Sequence, residues 1–264
     1  SFLSFWRFHR IDLPILKLLG KKIIVHFRGS DIIDKFSYYD YLNEDDNNRM
    51  QNSVKISRPD QVAKIKDWLK YADLVLVSTP NLLEIVPSAI LSPQVIDLSY
   101  WKTDKQPLSA KDGIFRIAHA PTLRKTKGTE IIIEAIDFLK HKGYKIELVL
   151  TEGLSHDKVK SVYEICDIGI DQLLIGWHGK VAVELMALGR PVICNINPAY
   201  LKYRPELPIV QADRQNLVQV LESLISDQAK RNEIGKKSIL FTAKYHDVYQ
   251  ETEKLLELYS LAKK

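Results

Sequence analysis

The 264-residue chain holds only two cysteines, has no glycine ahead of Gly20, and contains no apolar run long enough to cross a bilayer. Cys166 and Cys194 each sit in an apolar, strand-like run, so two buried thiols in a reducing compartment are expected rather than a disulfide framework. Metal-ligand spacing of Cys or His is missing too, and no metal is expected. Internal repeats and low-complexity segments are absent. The balance of 38 Lys and Arg against 33 Asp and Glu gives a net charge of +5 spread along the chain. That excess permits an anionic ligand or an anionic membrane surface, and it is too weak to argue for nucleic acid. Residue 1 is Ser, not Met, which keeps a cleaved leader open. Phe2, Phe5, Trp6 and Phe8 crowd the opening "SFLSFWRFHR"; they read as part of a buried core, with docking on a membrane interface as the alternative.

What is present is alternation. With 45% hydrophobic residues, the chain has core material for one large or two modest domains. From Lys21 onward, apolar runs of strand length alternate with longer amphipathic runs, the pattern of parallel sheets covered by helices. A first block offers "KKIIVHF" and "ADLVLVST" as strands, a helix opened by Pro59, and a third short strand in "PQVIDL". A polar stretch with Pro and Gly, "SYWKTDKQPLSAKDG", reads as a linker. The second block offers strands in "FRIAHA", "KIELVLT", "CDIGIDQ", "PVICNI" and "LPIV", with helices at 128–142, 156–165, 179–188 and 213–226. The fold class expected is α/β with two doubly wound lobes, the first incomplete, and a ligand crevice beyond the carboxyl ends of the strands. The domain boundaries expected are 1–105, 106–245 and a C-terminal helical segment 246–264 that packs back on the first lobe.

Two features carry chemistry. The turn "HAPTLRKTKGTE" sets Arg124, Lys125 and Lys127 just ahead of a helix start, an arrangement suited to an anion and most simply to phosphate. A solvated basic loop is the plainer alternative. Further on, "KVAVELMALGRPVI" places Glu184 in a helix otherwise apolar from Val181 to Leu188, where a carboxylate needs a partner. Gly179 permits close backbone approach at the start of that helix, and Gly189 with Pro191 ends it. Glu184 could meet paired hydroxyls of a ligand, or be held by a neighbouring Lys or backbone N–H. Asp171 and Gln172 follow a strand of the same sheet. His26, Arg28, Ser30 and Asp31 in "HFRGSD" end a strand of the first block, and Thr122 lies in the basic turn.

Taken together, "IIVHFRGSDI", "ADLVLVSTPNLLEIVP", "HAPTLRKTKGTEIIIEAI" and "KVAVELMALGRPVI" resemble the retaining, metal-independent nucleotide-sugar glycosyltransferases of the GT-B fold (glycosyl transferases group 1, family 4-like). The last stretch looks like the second half of that family's paired-glutamate motif. The resemblance implies a nucleoside diphosphate sugar as donor substrate and no cofactor. It implies Glu184 on the ribose, Arg124 and Lys127 on the pyrophosphate as catalytic groups, and His26 and Arg28 near the transferred sugar or acceptor. Gly179, Asp171, Gln172, His178 and Thr122 are then further donor contacts. The reaction implied is transfer of a sugar to a hydroxyl of a glycan, lipid or other acceptor, in synthesis of a cell-surface glycan or polysaccharide. The location implied is the cytoplasm, with peripheral contact at the inner face of the membrane as an open alternative.

Two departures stand out. Where the family's first glutamate is expected, eight positions before the second, this sequence has Gly176, in "GWHG", so sugar recognition is expected to use Trp177, His178 or Asp171. The family's opening strand and glycine-rich turn are also not found, and the chain reads as a fragment that begins part way through the first lobe. A non-catalytic nucleotide-sugar binding or scaffold protein of the same fold is the rival reading. Nucleotide-sugar epimerisation is a weaker one, given the scarcity of candidate acid and base carboxylates.

Overall fold

Short apolar runs flanked by amphipathic stretches satisfy their buried backbone groups by pairing in parallel and crossing over through helices. The computed structural model, which describes residues 12–29, 32, 59–107 and 109–262, has this architecture. The described residues group into two compact units. One takes those up to Pro93 and those from Tyr249 onward; the other runs from Gln94 to Val248.

In the first unit, β1 (Ile24–Phe27), β2 (Leu74–Val77) and β3 (Ile90–Leu91) form a parallel sheet in that order. Helices α1 (Asp12–Leu18), α2 (Pro59–Tyr71) and α3 (Leu82–Ile85) accompany it. Leu76 and Val77 of the central strand are fully buried. Asp73 fixes the approach to β2, since its carboxylate accepts from Lys17 Nζ and from the Ile23 backbone N–H, the latter at 2.7 Å. The third strand lies at Ile90–Leu91 and not in "PQVIDL" as expected. Pro93 has no N–H to give a ladder, and beyond it Ile96 forms only an isolated parallel bridge to Asp247.

The second unit is built on β4 (Phe115–His119), β5 (Ile146–Leu150), β6 (Ile168–Ile170), β7 (Val192–Cys194) and β8 (Val210–Gln211), all parallel, in the order β5-β4-β6-β7-β8. Between and after them lie α4 (Ser109–Asp112), α5 (Arg124–Lys127), α6 (Thr129–His141), α7 (His156–Ile165), α8 (Lys180–Ala187), α9 (Leu217–Ser226) and α10 (Gln228–Tyr245), while α11 (Val248–Leu261) belongs from Tyr249 onward to the first unit. Neighbouring strand residues feed opposite faces. Ile117 packs in one core with Ile132, Ile136 and Leu139 of α6 and Leu221 of α9, while Ala118 joins a second core with Tyr163 of α7 and Leu185 and Met186 of α8. Sheet and helices are thus doubly wound, and the winding reverses between β4 and β6. Both cysteines are buried free thiols. Helix α9 begins at Leu217 and not near 213. Asp213 and Asn216 bond each other's backbone N–H groups, at 3.1 and 2.9 Å, and this local turn competes with helix. No described helix is long and apolar enough to cross a membrane.

The contact that lets α8 lie against the sheet is at Gly169 in β6, where an added Cβ would stand 2.2 Å from Leu185 Cδ1, itself fully buried. Gly169→Ala is therefore expected to overpack this layer and to cost about 1–3 kcal/mol in urea denaturation. An unchanged denaturation midpoint would show that α8 can slide away freely.

Candidate functional site

The loops leaving the carboxyl ends of β4 and β6 flank the reversal of winding, and they carry most of the residues singled out in the sequence. At its end β4 presents His119, which is fully buried. Its Nδ1 lies 2.8 Å from the Ile170 carbonyl, which can only accept, so Nδ1 carries the proton and Nε2 accepts from Thr129 Oγ1 at 2.9 Å. Burial lowers the pKa of this imidazole, which keeps it neutral. His119 therefore pins the loop after β4 to β6.

Lys127 closes α5, and Gly128, at φ 76°, turns the chain directly into α6. The Lys127 side chain is buried. Its Nζ donates to Asp171 Oδ1 at 2.8 Å and to Gln172 Oε1 at 2.5 Å. Asp171 Oδ2 in turn accepts from the Gly179 backbone N–H just ahead of α8. Gln172 uses its other end to donate to the Trp177 carbonyl. One buried ammonium thus joins the turn after β4 to the whole segment between β6 and α8. Asp171 is placed as the counter-ion of Lys127, with both of its oxygens engaged.

Arg124 opens α5 on the surface. Its Nε and Nη2 meet the two oxygens of Glu152 at 2.8 and 2.6 Å, a bidentate pair that holds the Glu152 carboxyl below its ordinary range. Thr122 and Lys125 are exposed in the same turn.

Glu184 lies inside α8 and is 5% exposed. Its Oε1 is 3.3 Å from His156 Nε2 and 3.7 Å from Lys180 Nζ. Both partners are more than half exposed, at 55% and 53%, and both contacts are long for charge-assisted bonds. Burial therefore prevails and pushes the Glu184 carboxyl up, against the pull of His156 and Lys180. The buried acid has partners, but distant and exposed ones.

Gly176 stands at φ 82° and pairs by an isolated bridge with Ile196; the Asn197 N–H donates to its carbonyl at 2.8 Å. A side chain there would be strained whatever the space. Trp177 is 4% exposed and packs on the rings of His178 and Tyr200. His178 is buried between Trp177, 5.0 Å away, and His246, 5.6 Å away and edge-on. His26, on β1, and Arg28, just after it, belong to the first unit. Ser30 and Asp31 lie outside the described residues. Among the described residues no group of three or more His, Cys, Asp or Glu side chains is placed to hold a metal ion.

Sequence reading missed Glu152 and His156, which the fold brings to Arg124 and Glu184, and the neighbouring Lys it offered to Glu184 is Lys180. Lys180 had a signal, its spacing of one helical turn from Glu184. Glu152 and His156 had none, because each meets its partner only through the tertiary fold.

No family model matches the chain, and no curated protein matches it in sequence. Solved structures do match in three dimensions. Sucrose-phosphate synthase from Thermosynechococcus elongatus superposes with a TM-score of 0.62 at 15% identity, over 94% of this chain and 75% of that one. HepE of Anabaena, solved in complex with UDP-glucose, gives 0.66 at 14% identity over the same shares. TarM of S. aureus, solved with UDP and alpha-GlcNAc-glycerol, gives 0.58 at 14% identity over 76% of this chain and 46% of that one. The chain carries the GT-B fold. The Lys127–Asp171 pair lies beside the reversal of winding in the sheet of the second unit.

Burial pushes the His178 imidazole down to about 4 and that of His246 to about 3, from an ordinary 6.5. The unfolded chain takes up these protons first as pH falls. The stability they confer is complete above pH 6.5 and is lost as pH drops towards about 4. His178→Phe is expected to flatten the acid side of a thermal-midpoint profile. A slope equal to that of wild type would show that His178 titrates normally.

Proposed function

We propose that the protein is a glycosyltransferase that moves a sugar from a nucleoside diphosphate sugar to a hydroxyl acceptor. The observation that carries this reading is Glu184: a carboxylate buried in an apolar helix, held among the described residues by long contacts to two exposed side chains, His156 and Lys180. Such a group gains from a ligand that offers it two well-placed hydroxyls, as a ribose does. The Lys127 ammonium and the Arg124 guanidinium, at the turn after β4, suit the diphosphate of the same ligand. The fold supports the reading, and so do HepE and TarM, whose structures hold UDP-glucose and UDP.

The chemistry proposed is electrostatic. The bond from the sugar's anomeric carbon to the diphosphate oxygen breaks, a bond to the acceptor oxygen forms, and the departing diphosphate takes the acceptor proton. Same-face attack retains configuration. Arg124 and Lys127 stabilise the charge that grows on the diphosphate, without a call on any metal or cofactor. Glu184 orients the nucleotide and exchanges no proton. His26 and Arg28 are assigned to the acceptor side, and Thr122, Gly179, Gln172 and His178 to the surroundings of the donor. Asp171 acts by holding Lys127 in place. The acceptor proposed is a glycan or lipid hydroxyl in cell-surface glycan synthesis.

Because Glu152 occupies Arg124 in the free protein, binding a diphosphate means exchanging one anion for another. The exchange is mild, as an exposed pair contributes little on its own. Arg124→Ala is expected to weaken nucleoside diphosphates about 10-fold or more in calorimetry while leaving nucleosides unaffected. Glu152→Gln is expected to do the reverse and tighten diphosphates. Equal losses for both ligand classes on Arg124→Ala would remove it from the pyrophosphate. Glu184→Gln is expected to weaken nucleotide binding without lowering the thermal midpoint of the free protein, because it deletes a desolvated charge. Unchanged affinity would take Glu184 out of the site.

Gly176 favours a second reading, a binding protein without transfer activity, since no side chain stands there to hold the transferred sugar. Thermal stabilisation by a panel of UDP-, GDP- and ADP-sugars tests binding, and release of free sugar from the ligand so found tests chemistry. Binding without hydrolysis or transfer selects the second reading; no stabilisation by any donor rejects both.

A further inference from the structure

Glu184 is reached by two side chains, and they are held differently. Lys180 sits on the same helix, one turn earlier. His156 comes from the first turn of α7, and a segment of the second unit ahead of α4 grips it. Tyr100 lies nearly parallel to the His156 ring, 12° apart with centroids at 5.6 Å, and the buried Trp101 stands edge-on to it at 5.1 Å. The Tyr100 hydroxyl donates to Asp157 Oδ1 at 2.7 Å, so one tyrosine stacks on the first residue of that turn and bonds the next. Lys160 Nζ lies over the Tyr100 ring, 5.5 Å from its centroid. Asp97 fixes the approach to Tyr100, since its Oδ1 accepts from Ser99 N and Oγ at 2.8 and 2.6 Å. The His156 imidazole is therefore exposed, yet its ring plane is set by its neighbours.

The contact runs from His156 Nε2 to Glu184 Oε1 at 3.3 Å. An ionised carboxylate can only accept, so Nε2 carries the proton, and the contact survives whether the ring is neutral or cationic. Among the described residues both partners of Glu184 fall on Oε1, which leaves Oε2 for a ligand. We infer that His156 is a positioning residue for the donor: braced by Tyr100 and Trp101, it holds Oε1 and keeps the Glu184 carboxylate turned to accept a ligand hydroxyl on Oε2. The inference rests on the donor-site reading of Glu184 given above, and it adds the segment from Asp97 to Trp101, which that reading did not use. Burial pushes the Glu184 carboxyl up, while the bond to His156 and the charge of Lys180 draw it down. Without His156 the carboxyl takes up its proton at higher pH, and a protonated carboxyl offers a ligand fewer acceptors. Of the other ionisable groups near the pair, Tyr100 is pushed up to about 12 by its bond to Asp157, burial drives Tyr163 up, and against burial Glu164 is held low by Lys105 and Lys160. None of these three changes charge in the range where Glu184 does.

The test is calorimetry on the whole chain at about pH 6 and about pH 8, with UDP, GDP and inorganic pyrophosphate as titrants. His156→Phe keeps a ring for the stack and removes the N–H. It is expected to weaken the preferred nucleoside diphosphate by about 2- to 10-fold at the lower pH, the range for one hydrogen bond, by less at the higher, and to leave pyrophosphate unchanged at both. His156→Gln returns an N–H to the same place and is expected to restore binding. Tyr100→Ala is expected to weaken nucleotide with the same pH dependence and to add nothing to His156→Phe in the double variant, because it acts through the imidazole. Thermal melting shows which variants are folded, and the two His156 variants carry the test where Tyr100→Ala is not. Should His156→Phe bind nucleotide as wild type does at both pH values while Glu184→Gln loses it, the contact is idle and the inference falls with the donor site intact. Tighter binding by His156→Phe also overturns it, because the imidazole then competes with the ligand. So does an equal loss at both pH values, or a loss of pyrophosphate, because the ring then acts on the ligand directly or on the whole lobe. Failure of wild type to bind any nucleotide removes the donor site itself, and the inference with it.

Discussion

The Lys127 ammonium, sunk between Asp171 and Gln172, is the constraint on which the geometry of the second unit's switch point depends. A buried ion pair is weak evidence for stability, because desolvating both charges offsets most of their attraction. Removing one partner, however, typically costs about 3–5 kcal/mol. Such a pair is therefore better understood as a positioning device. Asp171 passes the constraint to the backbone ahead of α8, and His119 fastens the same loop to β6 through a fixed tautomer. The residues that flank the reversal of winding cannot move independently.

Around that fixed point the charges are arranged in self-balancing pairs of graded strength. Lys127 with Asp171 is buried and short. Arg124 with Glu152 is short but exposed. Glu184 with His156 and Lys180 is buried on one side and loose. The grading matters because it separates a structural charge from exchangeable ones. Only the second and third sets can trade a protein partner for a ligand at modest cost; Lys127 can meet an anion only while still attached to Asp171 and Gln172.

Much of this was legible in the sequence. The strand-length apolar runs gave all five strands of the second unit, because a parallel strand buried on both faces leaves a continuous hydrophobic signature. Glu184 announced itself by its apolar neighbours, and Lys127 by a basic turn ahead of a helix. The third strand of the first unit was placed beyond Pro93 when it lies before it, since a two-residue strand has too little pattern to outvote an apolar run nearby. Counter-ions were harder still. Asp171 meets Lys127 forty-four residues away in sequence, and Glu152 and His156 carry no local signal, because pairing across a fold is invisible to periodicity.

Gln172 has a consequence of its own. Its amide accepts from Lys127 at one end and donates to the Trp177 carbonyl at the other, so it cannot flip end for end without breaking both links. It works as a rigid strut between the ammonium and the glycine-containing bend at 176–179. Any displacement of the Lys127 ammonium would therefore shift that bend, and with it the backbone that leads into α8.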